Sequence, residues 1–155
     1  MFNPGDIVNS DKVILIDNKI DNAQNRSCVV LFSLDLKNGT KVFACPLTKQ
    51  KKTFNKHPEN YFLIPNIICD YFKLDFAKID NIVIFNAEDL HDTGIKLDAE
   101  TLNRILEKIK TCEPGETQKE QYKYIKEIIS YIELFAKLEK KASKKTQSKQ
   151  KQMVK

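Results

Sequence analysis

At 155 residues, with 41% hydrophobic and 9% aromatic content, the chain is long enough for one domain with a real core plus an appendage. No apolar run approaches the roughly 18–20 residues that a membrane-spanning helix needs. Met1-Phe2-Asn3-Pro4-Gly5-Asp6 has no basic stretch followed by an apolar one, so the expected location is cytoplasmic, with no membrane partner. The net charge of +5 is uneven: residues 140–155 hold seven lysines and no acid, and taking seven from +5 leaves −2 for residues 1–139.

In chain order, residues 6–16 contain two β-branched runs that read as one bent strand or two short ones. Asp17 to Asn25 is polar and reads as a loop. Ser27 to Leu34 is a short apolar run suited to a buried strand. Asn38-Gly39 then gives a strong hairpin signal, because Asn and Gly both tolerate positive φ, and Lys41 to Leu47 is the partner strand. Thr48 to Asn60 is basic and polar, Tyr61 to Pro65 reads as a strand, and Asn66 to Lys78 is ambiguous. Asn81 to Phe85 is the last clear strand. Short strands joined by short turns, with no alternation of strand and helix, argue for a small barrel.

Two helices close the chain. Asp98 is a good N-cap for a helix bearing Leu102, Ile105, Leu106 and Ile109, and Pro114-Gly115 breaks it. The second runs from about Lys119 to Lys141, with Tyr122, Ile125, Ile129, Ile132 and Ala136 as an apolar stripe. That stripe packs on the barrel, on the first helix or on a second copy of the chain. The expected organisation is therefore 1–111 for the barrel and first helix, 112–141 for the added helix, and 142–155 for a disordered basic tail. The tail suits either a nonspecific tether for polyanions or a solubilising end.

Cys28, Cys45, Cys69 and Cys112 form no CxxC pair and have no His at ligand spacing, so buried reduced thiols are expected. No phosphate loop, nucleophile elbow or metal box is present in the sequence, and no cofactor is expected. His57 and His91 stand alone, so proton transfer would fall to Arg, Lys, Asp, Glu or Thr. The Asn-Gly hairpin puts Arg26 and Thr48 at the same end of two antiparallel strands. Beside a lysine-rich loop, a forked cation and a hydroxyl could clamp a phosphodiester. Equally, Arg26 could be a surface charge and Thr48 a strand cap.

Several segments in a fixed order carry a resemblance. They are Gly5-Asp6-Ile7-Val8, then Arg26-Ser27-Cys28-Val29-Val30-Leu31, then Cys45-Pro46-Leu47-Thr48-Lys49-Gln50. Phe62-Leu63-Ile64-Pro65 and Gly94-Ile95-Lys96-Leu97-Asp98 to Leu102 complete the set. In these the chain resembles the MazF/PemK (Kid) family of toxin endoribonucleases, from Pro4 to about Lys110. The resemblance implies a mainly β fold with C-terminal helices: an SH3-like barrel, usually a homodimer, here with an extra C-terminal helix. It implies metal-independent cleavage of single-stranded RNA, leaving a 2′,3′-cyclic phosphate and a 5′-hydroxyl. Arg26 and Thr48 match the family's catalytic Arg and Thr, and Asp21 falls where some members have an acid.

Lys49, Gln50, Lys51, Lys52 and Lys56 are expected to contact RNA, with Phe54 or Tyr61 to stack a base and His57 as a proton carrier. The implied partners are messenger RNA and an antitoxin, protein or RNA, the latter as in the related ToxN-type toxins. Ser27 replaces the family's common Pro, and Asn86-Ala87-Glu88 replaces its frequent Asp-Gln. Those departures favour a competing expectation, a barrel that holds RNA or a protein without cutting, including a lapsed toxin homologue.

Overall fold

The computed structural model describes residues 2–10, 14–16, 19–21, 27–48, 58–64 and 76–153. It divides into two compact units, Met1–Gly115 and Glu116–Lys155. The first is mainly antiparallel sheet with one helix, and the second is a helix preceded by one short 3-10 turn.

The strands are β1 (Asp6–Ser10), β2 (Ile14–Ile16), β3 (Lys19–Asp21), β4 (Ser27–Leu36) and β5 (Gly39–Thr48). Then come β6 (Tyr61–Leu63), β7 (Phe76–Lys78), β8 (Val83–Asn86) and β9 (Leu90–Lys96). Seven of them join in the order β6-β7-β5-β4-β1-β9, with β8 beside β5. Among the described strands the two ends of this path do not pair with each other, so the sheet is open. β2 and β3 form a separate hairpin.

β4 and β5 are the spine. Cys28 to Phe32 and Val42 to Thr48 are continuously buried, as expected of strands covered on both faces. β5 pairs β4 along one edge, while its other edge serves β8 at Lys41–Ala44 and β7 at Leu47–Thr48. Val8, Cys28, Val30, Val42, Ala44, Phe85 and Leu90 form the core on one face. A register shift between Val30 and Phe32 brings Phe32 opposite Phe43, and their rings stack at 4.5 Å.

The hairpin forms where the Asn-Gly pair indicates, but one residue earlier. Leu36 pairs with Gly39, so Lys37 and Asn38 form the tip and Gly39 begins β5 at φ +116°. The Thr40 hydroxyl donates to Asp35 at 2.6 Å and holds that register. Gly5 meets a second backbone demand, with φ +92° and space for a Cβ only 3.2 Å from the Leu97 carbonyl. Its N–H donates to Val30 and its carbonyl accepts from Leu97, which ties β4 to the exit of β9.

Three strands differ from the sequence expectation. β3 occupies part of the expected loop, β7 lies in the ambiguous stretch, and β9 follows the last clear strand. β9 reads Leu-His-Asp-Thr-Gly-Ile-Lys, which has little β signature; its place comes from pairing with β1 at the edge of the sheet.

α1 (Ala99–Thr111) buries Leu102, Ile105, Leu106 and Ile109, as its spacing predicts. Asp98 caps it, accepting the Thr101 N–H at 3.1 Å and the Thr101 hydroxyl at 2.5 Å. The Lys108 ammonium donates to the carbonyls of Pro58 and Tyr61, which anchors α1 beside β6. α2 (Lys119–Met153) has Tyr122, Ile125 and Ile129 buried. It continues well past residue 141, through residues expected as a disordered tail. Lys, Gln and Ala favour a helix, and Lys119 to Met153 contains no Pro or Gly to stop one.

Candidate functional site

Cys28 lies opposite Pro46, so Ser27 at the start of β4 and Thr48 at the end of β5 lie at one end of the hairpin. Register then sorts the side chains there by face. Val8, Cys28 and Pro46 share a face, and two residues along, Ser10 and Thr48 share it too. Thr48 pairs with Phe76 of β7, and Phe76 with Leu63 of β6. Ser10 is fully buried and Thr48 is 4% exposed.

The same face holds a buried cation. Lys78, two residues from Phe76, lies opposite Tyr61. Its ammonium sits 5.3 Å from the Tyr61 ring centroid and 2.8 Å from the Asp80 carboxylate. The Lys78 side chain is 3% exposed and that of Asp80 13%. Lys78 and Thr48 are diagonal neighbours across the β5–β7 pair. Sequence reasoning missed Lys78; the available signal is a lysine set among Phe76, Ala77 and Ile79, where burial demands a partner.

The Cys45 thiol donates to the Lys78 carbonyl at 3.2 Å. Burial pushes this thiol well above its ordinary value, with nearby Cys28 and Asp80 adding to the effect. It therefore stays neutral and is no nucleophile. Cys28 and Cys112 are also buried and belong to no disulfide among the described residues, while Cys69 lies outside them.

The opposite face carries a polar row across three strands. Asn9 of β1 pairs with Ser27 of β4 on one side and His91 of β9 on the other. The Ser27 hydroxyl donates to the Asn9 side-chain oxygen at 2.8 Å. His91, isolated in sequence, is thus brought to an exposed edge beside Asn9, with Ser27 on the far side of Asn9.

Of the expected catalytic residues, Thr48 is placed as above, and Asp21 ends β3 opposite Ile14 in the separate hairpin. Arg26, Lys49, Gln50, Lys51, Lys52, Phe54, Lys56 and His57 lie outside the described residues. No helix among the described residues is long and apolar enough to cross a membrane. No family model, curated protein or solved structure matches this chain.

Proposed function

We propose that this chain is a metal-independent endoribonuclease of the toxin type, built on an SH3-like barrel and acting on single-stranded RNA. What supports this reading is the order of the family-like segments along the chain, together with the hairpin that brings Ser27 and Thr48 to one end. Arg26 immediately precedes Ser27, and the basic stretch from Lys49 to Lys56 immediately follows Thr48. In the proposed reaction the ribose 2′-oxygen attacks phosphorus and the bond to the 5′-oxygen breaks. The 2′-hydroxyl loses its proton and the departing 5′-oxygen gains one. Arg26 stabilises the charge on the phosphoryl oxygens and assists proton transfer, while Thr48 donates a hydrogen bond to them. Lys49, Lys51, Lys52 and Lys56 hold neighbouring phosphates, and an antitoxin covers the same residues.

One observation favours a second reading, a barrel that binds RNA without cutting it. Thr48 is 4% exposed, and a hydroxyl so enclosed touches a phosphate only after its cover withdraws. The two readings separate in one assay. The purified chain, treated with EDTA and mixed with a long single-stranded RNA, is expected to give fragments that a polynucleotide kinase labels without prior phosphatase. Arg26→Ala is expected to abolish those fragments and leave the circular dichroism spectrum unchanged. Intact but retarded RNA would support the binding module, and cleavage undiminished by Arg26→Ala would discard the assigned centre.

A further inference from the structure

α2 carries a second apolar stripe, distinct from the buried one. Tyr124, Ile128, Tyr131, Phe135, Leu138 and Ala142 recur at alternating steps of four and three residues. The stripe lies roughly 130° around the helix from Tyr122, Ile125 and Ile129, at 3.6 residues per turn. Tyr124 is 58% exposed, Tyr131 66%, Phe135 63% and Leu138 53%. Leu134 and Ile132, which flank its middle, are also exposed, at 51% and 42%. A lone helix gains nothing from showing Tyr124, Tyr131, Phe135 and Leu138 to water, with the half-buried Ile128 between the first two. The alternating spacing fits a second helix, because it keeps a narrow seam facing a partner along its length.

We propose that this seam pairs two copies of the chain through an antiparallel contact between their α2 helices. Charge and register select both the occupant and the direction. In the antiparallel arrangement Phe135 meets Tyr131 of the second copy, Leu138 meets Ile128, and the small Ala142 meets the large Tyr124. Leu134 and Ile132 lie beside their own counterparts near the two-fold axis. Glu127 at the rim then faces Lys141 of the second copy, and symmetry makes this pair twice. A parallel arrangement places Glu127 beside Ile132 and Leu134 beside Glu139. It also aligns residues 140–151, which hold six lysines and no acid, against themselves. Antiparallel pairing sends those two basic segments to opposite ends.

This inference does not depend on the nuclease reading. Sedimentation equilibrium of the full chain over a micromolar series is expected to give the mass of two chains. Phe135→Glu with Leu138→Glu is expected to give one chain at unchanged helicity, since both side chains are more than half exposed before pairing. Glu127→Lys and Lys141→Glu are each expected to weaken the dimer about fivefold at low salt, and their combination to restore it. A wild-type monomer throughout the series overturns the proposal, as does a dimer indifferent to the double glutamate variant. Failure of the combined swap to restore pairing overturns the antiparallel register. A monomer that binds anionic lipid vesicles assigns the stripe to a membrane surface instead.

Discussion

Lys78 places an ammonium where only 3% of the side chain meets solvent, so its contacts with Asp80 and the Tyr61 ring have to replace water. Removing one partner leaves the other enclosed without compensation. Lys78→Ala is therefore expected to cost about 3–5 kcal/mol in urea denaturation. Lys78→Met with Asp80→Asn should recover part of that loss, and a single variant within about 0.5 kcal/mol of wild type would show the pair to be idle. The residue scale is also where the candidate site is least legible in sequence. The place of Thr48 at the end of its strand is legible in the sequence, but its burial is not. Lys78 lies thirty positions away in the chain, and His91 further still. They reach the same end of the sheet only through strand pairing.

At the level of single elements, α1 shows how local chemistry sets a boundary that can be read directly. Asp98, Thr101 and the spacing of Leu102, Ile105, Leu106 and Ile109 all lie within four turns of chain, so capping and periodicity suffice to find the helix. The hydrogen bonds from the Thr101 side chain and backbone hold the Asp98 carboxyl below its ordinary value. A lowered folded-state value means that this contribution is fully present above the unfolded value of about 3.9 and is lost as pH falls through the folded one. Asp98→Asn keeps an acceptor without the charge, so the thermal midpoint of this variant should fall less steeply than wild type on acidification below about pH 4. Parallel curves would assign the acid sensitivity elsewhere. β9 is the opposite case. Asp92 and Gly94 disfavour a strand; the open edge of β1 and the bond from the Thr93 hydroxyl to the Ile7 carbonyl at 2.6 Å hold one there.

Across the whole molecule, charge is the property that composition reports and topology redistributes. Lys119 to Met153 forms one helix, so its lysines are spaced along a rod beyond the apolar seam. Gln at Lys140, Lys144, Lys145, Lys149, Lys151 and Lys155 takes the net charge from +5 to −1 while keeping Lys141 for the proposed dimer. If this end recruits RNA, the slope of log affinity against log salt should become shallower in that variant, because fewer counterions are released on binding. An unchanged slope in a retardation assay would confine RNA binding to the sheet unit. Cleavage of an RNA already in excess should not depend on these lysines.

Taken alone, the amino-acid order determined the apolar strands of the spine, the hairpin between them, the cap and buried face of α1, the break at Pro114-Gly115 and the first stripe of α2. Each of these is written in neighbours a few residues apart, where propensity, turn chemistry and periodicity act directly. Only the tertiary structure decided that β5 shares its edges among β4, β7 and β8, that β9 closes on β1, that Lys78 is buried against Asp80, and that a second stripe of α2 stays uncovered. Those outcomes depend on which distant backbone edges and side chains meet, and pairing energy of that kind leaves no periodic trace along the chain.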